Sequence, residues 1–407
     1  MCGVFFIQSS GDGAVKPLSR TASSFDRSPI RAMLDAAAAY PDAIHLELGQ
    51  PDFPTPPHII EAAVQAARSE YTGYTANAGM LSLRQAIVTK LARENNMHVT
   101  PANIIVTIGA MEAVFASMAV LLDPGDSILI PDPGYGNFVM AASILSAESI
   151  RYPTIPDADF VPDFEALAHL IRPDTRAMLV NSPSNPTGAV YDEATLRACL
   201  DFCRKHDLYL ISDETYDRLV FEGEHFSPAQ WDDEGRVISI FTASKTYAMT
   251  GWRVGYAVAS EQVITMMSKI QEPIVSCVNT VAQYAAIAAL EGCQDCVDEM
   301  REHYRKRRDL AVSIARSVGL HVSYPHGAFY LLVDISGQPL GSLPFARGLL
   351  ESEHVAVGPG CAFGQLCDRY IRISLCASEA DLTEGLMRIS RYLKRVSQPE
   401  PCAARQV

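Results

Sequence analysis

From about residue 100 the chain repeats one pattern: a short, nearly uninterrupted apolar run, then a longer segment with helical spacing. Ile104-Ile105-Val106-Thr107-Ile108 is the first such run, and Gly109 opens a helix that the spacing carries to about Leu122. Asp123-Pro124-Gly125-Asp126 reads as a turn, and Ser127-Ile128-Leu129-Ile130 as the next strand. Further runs lie at 177–180, 209–212, 237–241 and 254–257. Strands that are apolar at nearly every position are buried on both faces. That is the condition of a mostly parallel sheet with helices on either side. The predicted fold is α/β, with a three-layer large domain.

The rhythm changes near residue 277 to long helices through 284–290 and 297–318, short strands at 329–333, 355–357 and 370–375, and a last helix over 378–394. This is an α+β signature, and the segment 25–48 is expected to pack with it. The reading divides the chain into a flexible arm (1–24), a smaller α+β domain (25–55 and 290–396), a large domain (56–289) and a flexible tail (397–407). The length of 407 residues agrees with this at a prior of ~150 residues per domain.

Composition narrows the partners. With 48% hydrophobic and 20% charged residues the chain has ample apolar mass for a core, and disorder as the dominant state is excluded. A formal charge of −14 argues against binding nucleic acid or an anionic membrane and suits a small-molecule partner. Ten cysteines are too sparse for a disulfide scaffold, no run has the ~18 apolar residues of a membrane span, and Val4-Phe5-Phe6-Ile7 is too short for a signal-peptide core. A cytoplasmic, reduced protein is expected.

In open α/β sheets ligands sit at the carboxyl ends of the strands. Asp213 follows the 209–212 run, Lys245 comes shortly after the 237–241 run, Asn185 lies in a Pro-broken loop after 177–180, and Gly109 ends the first strand. Four strand ends thus bring a carboxylate, an amine, an amide and an open helix N-terminus to one rim. A lysine amine condenses with an aldehyde when its charge is suppressed. An aspartate holds a pyridine nitrogen protonated. The Ala110 and Met111 amides at a helix start accept a phosphate, and Arg253 adds a guanidinium fork. Pyridoxal 5'-phosphate carries all three handles.

The sequence resembles the class I/II aminotransferases, pyridoxal-phosphate enzymes of fold type I (aspartate aminotransferase-like), from about residue 25 to 396. The motifs that carry the resemblance run in family order. They begin with Gly49-Gln50-Pro51-Asp52-Phe53-Pro54-Thr55-Pro56, the stretch 74–79 and Leu83-Arg84, then Gly109-Ala110-Met111-Glu112-Ala113 and Asp132-Pro133-Gly134-Tyr135. Asn185-Pro186-Thr187-Gly188 and Ser212-Asp213-Glu214-Thr215-Tyr216 follow, then the long segment from Ser244-Lys245-Thr246-Tyr247 to Gly251-Trp252-Arg253-Val254-Gly255. Gly327-Ala328-Phe329-Tyr330 and Tyr370-Ile371-Arg372-Ile373-Ser374 close the series.

The resemblance implies that Lys245 carries the cofactor as a Schiff base and then shuttles the substrate proton, that Asp213 pairs with the pyridinium nitrogen, and that Tyr216 and Asn185 bond the phenolic oxygen. Tyr135 should stack on the ring. Gly109, Ala110, Met111, Thr242 and Arg253 should hold the phosphate, with Ser244 sharing the hydroxyl role. Tyr74 should reach in from a partner subunit, which requires a homodimer with shared active sites. Arg372 should take the substrate α-carboxylate, helped by Asn185 and the Gly49 backbone. Where Thr242 stands, some relatives carry serine and others glycine. In one aspartate-specific subgroup a partner arginine, in the region after the phosphate arginine, reads the side-chain carboxylate. Residues 271–290 here hold no Lys or Arg, so a dicarboxylic donor is not indicated.

The implied activity is transfer of the α-amino group of an L-amino acid to a 2-oxo acid (EC 2.6.1.-). The alternative is another quinonoid reaction on the same cofactor: elimination or replacement, decarboxylation, cyclisation or oxidative deamination. A ligand-sensing module fused to a DNA-binding domain needs a winged helix ahead of Phe25, and the negative charge opposes it. Cys293 and Cys296 form a Cys-x-x-Cys pair without a second ligand pair, so no metal is expected. Met1-Cys2-Gly3 is similar to the start of glutamine amidotransferases, but aminotransferase motifs begin within fifty residues and the likeness is read as coincidence. His326, the one histidine beside a motif, is read as lying in a solvent-exposed loop.

Overall fold

Residues 16–23 and 27–397 are described by the structure, a computed structural model. In chain order the strands are β1 (Ile44–His45), β2 (Ile104–Thr107), β3 (Ser127–Asp132), β4 (Glu148–Ile155), β5 (Val161–Pro162), β6 (Thr175–Asn181) and β7 (Tyr209–Asp213). They continue with β8 (Val237–Thr242), β9 (Gly255–Val258), β10 (Tyr330–Asp334), β11 (Val355–Ala356), β12 (Gly358–Pro359) and β13 (Tyr370–Ser374). Eight of them make the central sheet, in the order β2-β9-β8-β7-β6-β3-β4-β5. The inner pairs β8-β7, β7-β6, β6-β3 and β3-β4 are parallel. β9 runs against both its neighbours, and β5 is a short antiparallel edge. The α/β, mostly parallel expectation is thereby met.

Successive residues along these strands enter different cores, as period-2 geometry requires. Ile128 and Ile130 of β3, with Ala177 and Leu179 of β6, pack on one side with helix Ala110–Leu121. Leu129, Met178 and Val180 pack on the other with helix Glu193–Lys205. Each fully buried Leu, Ile or Val stabilises by about 1.5–3 kcal/mol relative to exposure. Sequence alone missed β4 and β5. β4 carries Glu148, Arg151 and Pro153, and only Tyr152 and Thr154 on it are buried. A strand near the sheet edge with one wet face lacks the continuous apolar run that marks its neighbours.

A separate three-stranded sheet, β10-β13-β12, is covered by helices Asp295–Ser317 and Glu379–Val396. The N-terminal segment joins it: Met33 and Ala37 of helix Pro29–Ala37 enter its core, and β1 pairs in parallel with β11, Ile44 opposite Val355. The last helix starts where Ser378 Oγ accepts from the Asp381 amide at 3.0 Å, with Glu379 and Asp381 in its first turn and Lys394 and Arg395 in its last. Both charge placements favour the helix dipole. Within the stretch read as an arm, Arg20–Ser23 form one helical turn. Residues 1–15 of that arm, with Met1-Cys2-Gly3, and residues 24–26 lie outside the described residues, as do 398–407 of the expected tail.

Candidate active site

The carboxyl ends of the parallel strands open into a cleft of about 730 Å³. Of the residues expected at the site, all but Gly109 and Tyr74 line it. Gly109 immediately precedes Ala110, which does line it. Tyr74 is 93% exposed and does not enter the cleft of its own chain.

Lys245 is placed by a compact device. β8 ends at Thr242, whose Oγ1 accepts from the Ser244 amide at 3.2 Å and so starts the four-residue helix Ala243–Thr246 directly at the strand end. Thr242 Oγ1 also lies 3.0 Å from both Ser244 Oγ and the Val254 carbonyl. The two hydroxyls are therefore one network. Lys245 Nζ donates to the Gly49 carbonyl at 2.9 Å. Burial draws its ammonium down to about 8; Arg372 and Arg253 add to that shift, while Cys376 and Asp213 oppose it.

Asp213 ends β7 and is 7% exposed. Its Oδ1 accepts from the Thr215 amide at 3.1 Å and the Thr215 hydroxyl at 2.5 Å, and among the described residues no group bonds Oδ2. Burial pushes its carboxyl up to about 6 against those two bonds. Such a carboxylate is short of one cationic or N–H partner, which a pyridinium supplies.

At the phosphate end, helix Ala110–Leu121 begins after Gly109 with no side chain capping its first amides. Gly109 holds φ +94°, and a Cβ there would come within 2.5 Å of Arg253 Nη2. Glycine thus both permits the turn and lets the guanidinium approach. Arg253 Nη1 donates to the Thr250 carbonyl at 2.9 Å and Nη2 to the Ile108 carbonyl at 2.8 Å, which fixes its fork beside the open amides. Together they form an anion cradle.

The opposite wall carries Arg372, on β13 and 2% exposed. Nη1 donates to Asn185 Oδ1 at 2.8 Å and Nη2 to the Glu47 carbonyl at 2.5 Å, while Nε is buried without a partner among the described residues. A buried cation with unspent donors is built for an anion that enters from the cleft. Among the described residues Asn185 Nδ2 has no acceptor, so that amide reads Arg372 with its oxygen and keeps its N–H groups for the cleft. Tyr216 OH lies 2.9 Å from Tyr330 OH, and burial holds the Tyr216 phenol well above its usual value. Tyr135 lies half-buried at the start of helix Gly136–Ile144, its phenol raised by burial, with its ring edge-on to Phe138.

Several lining residues were not singled out from the sequence: Arg27, Ile30 and Arg31 on or beside helix Pro29–Ala37, Asn137 and Met140, Asn181, and Tyr330. Asn181 ends β6, and its Nδ2 donates to the Asp213 carbonyl at 3.0 Å, so the strand-end rule had the power to find it. The N-terminal helix gave no such signal. Cys293 and Cys296 are free thiols, the first exposed and the second half-buried; Cys199 and Cys203 are buried on helix Glu193–Lys205. Among the described residues no group of three or more His, Cys, Asp or Glu side chains is placed to hold a metal ion, and no helix is long and apolar enough to cross a membrane. His326 is half-buried rather than fully solvated, with Nε2 4.0 Å from Glu222.

The cleft thus gathers a lysine, a buried aspartate and an anion cradle at the strand ends of a mostly parallel sheet covered by helices on both faces, where open α/β sheets bind their ligands. The sequence matches the family described as aminotransferase class I and II over residues 41–389, and the chain belongs to that family. It is 39% identical over 357 residues to the aspartate/prephenate aminotransferase of Thermus thermophilus, covering 87% of this chain and 92% of that one. It is 36% identical to aromatic-amino-acid aminotransferase 2 of Thermococcus litoralis, covering 90% and 96%. The solved structure of Thermus thermophilus aspartate aminotransferase with maleate superposes with a TM-score of 0.89 at 37% identity, covering 93% and 100%. These relatives are named for different amino acids, so the likeness establishes amino transfer and leaves the side chain open.

Proposed function

We propose that the chain uses pyridoxal phosphate to move the α-amino group of an L-amino acid to a 2-oxo acid. In this reading it works as a cytoplasmic homodimer in which Tyr74 completes the partner's phosphate site. The observation that carries the reading is the convergence of Lys245, Asp213 and Arg372 on one cleft, each with a donor, acceptor or proton left over. When bound, the cofactor supplies an aldehyde for the amine and a ring that takes up the electron pair released as the substrate Cα–H bond breaks.

The residues of this chain supply the rest. The Ala110 and Met111 amides, Arg253 and the Thr242–Ser244 hydroxyls hold the phosphate, and Tyr135 packs against the ring. Asp213 Oδ2 would keep the ring nitrogen protonated, and Tyr216 with Asn185 Nδ2 would donate to the phenolic oxygen. Arg372 and the Gly49 backbone orient the substrate carboxylate so that its Cα–H bond faces Lys245. Lys245 Nζ would then take the proton from the substrate Cα as a general base and would give it back as a general acid. The lowered ammonium suits this task, because a base near neutrality both accepts and gives back.

The same reading assigns residues 56–289 to a cofactor-binding unit and residues 25–55 with 290–396 to a smaller one. The shared core of Met33, Ile44, Leu46, Val355 and Leu386 supports the second grouping. The test is direct. Purified protein should take up pyridoxal phosphate, and borohydride should fix it on the Lys245 peptide, as mass spectrometry reads. A protein that binds no pyridoxal phosphate, or is labelled elsewhere, contradicts the assignment.

A further inference from the structure

We propose that Tyr330 is a positioning residue that serves both ends of the cleft at once: its hydroxyl orients the proton of Tyr216, and its ring face sets the guanidinium of Arg372. The first half rests on the cofactor reading above; the second requires only that Arg372 binds a carboxylate.

The placement follows from the small sheet. Leu332 of β10 stands directly opposite Arg372 of β13. Tyr330, two residues back, shares that face at the diagonal position, which long and aromatic side chains can bridge. Arg372 Cζ lies 4.2 Å from the Tyr330 ring centroid, and the Phe363 ring stands 4.8 Å away. With Nη1 on Asn185 and Nη2 on Glu47, two oxygens and two rings fix the guanidinium before any ligand arrives. Stacking of this kind attracts a cation to a ring face and restricts its plane.

The hydroxyl side is equally constrained. Tyr330 is 2% exposed, and its OH lies 2.9 Å from Tyr216 OH. A Cβ on Gly49 would fall 1.9 Å from the Tyr330 hydroxyl oxygen, so only glycine lets the backbone close over it. Burial pushes the Tyr330 phenol up to about 12, so it keeps its proton across the working range. If Tyr216 donates its one proton into the cleft, its oxygen must accept from Tyr330. The direction of the pair is then fixed: Tyr330 donates to Tyr216, and Tyr216 donates to the cofactor. A donor that itself accepts a hydrogen bond is a stronger donor.

The two halves separate by substitution. Tyr330→Phe keeps the ring and removes the hydroxyl. The pH at which the visible band of the bound cofactor titrates should then rise, because a weaker bond from Tyr216 leaves more negative charge on the phenolic oxygen and so favours the nearby proton. Affinity for hydrocinnamate, a carboxylate with no reacting group, should change less than about twofold. Tyr330→Leu should give the same spectral shift and also weaken hydrocinnamate binding roughly tenfold, in protein with or without cofactor. An unmoved titration in Tyr330→Phe overturns the hydroxyl role, and unchanged hydrocinnamate affinity in Tyr330→Leu overturns the stacking role. If the wild-type protein takes up no cofactor, the proposed function and the hydroxyl half fall together. The hydrocinnamate comparison still decides the other half.

Discussion

Asp213→Asn tests whether the buried aspartate is shaped for a partner that the protein alone does not provide. Burial places its carboxyl at about 6, against an ordinary value of 3.8. A difference of about 2 pH units, at about 1.4 kcal/mol each, amounts to about 3 kcal/mol. The sign follows from which state ionises first. Below 3.8 the carboxyl is neutral in both folded and unfolded chains, and it costs nothing. Between 3.8 and about 6 the unfolded chain ionises more readily, so stability falls as pH rises, and the loss is complete above about 6. Asparagine is nearly isosteric and its Oδ1 can still accept both bonds from Thr215. Cofactor-free Asp213→Asn should therefore be more stable than wild type by up to about 3 kcal/mol at pH 7, with the gap closing toward pH 4. Urea denaturation of both cofactor-free proteins across that range measures it. In the loaded enzyme the same change removes a charge-assisted bond, and the transfer rate should fall at least tenfold. A cofactor-free variant that is less stable at pH 7, or a gap that does not vary with pH, refutes the reasoning.

Other outcomes follow from the same geometry. The rate at which pyridoxal phosphate attaches to cofactor-free protein should rise with pH and level off above about 8, as Lys245 loses its proton. Continued acceleration toward 10.5, the ordinary lysine value, contradicts the lowered ammonium. Lys90 and Asp217 form a buried ion pair beneath the Tyr216 segment, with side chains 5% and 6% exposed. Lys90→Met should cost roughly 3–5 kcal/mol in denaturant unfolding by stranding the carboxylate, and adding Asp217→Asn should recover part of it. Tyr74→Ala and Lys245→Ala chains, each impaired alone, should regain activity when refolded together, because one site of the hybrid dimer has both native residues. No recovery in a verified hybrid opposes the shared site.

The sheet and its functional rim were legible because both obey local rules. Strands β3, β6, β7 and β8 are apolar throughout since each is buried on two faces, and Asp213, Asn185 and Lys245 stand where those runs stop. Gly109 was readable as a helix start for the same reason. β4 was hidden by its wet face. Tyr330 was quoted within a motif but given no role, because its importance comes from a cross-strand neighbour and a hydroxyl 114 positions away. Arg27 and Arg31 reach the cleft through the packing of helix Pro29–Ala37 against the small sheet, a long-range contact that no periodicity encodes. Tyr74 shows the reverse limit. A tyrosine 93% exposed on a single chain has a role only if a second chain supplies the surroundings.

Under the proposed function, one site transfers nitrogen between two carbon skeletons. The most direct measurement follows the nitrogen of a ¹⁵N-labelled L-amino acid incubated with the loaded enzyme and an unlabelled 2-oxo acid. The label should appear in the amino acid made from the 2-oxo acid, turnover should require the acceptor, and Lys245→Ala should abolish it. Label released as ammonia at the same rate without acceptor would contradict transfer and point to a different reaction on the same cofactor.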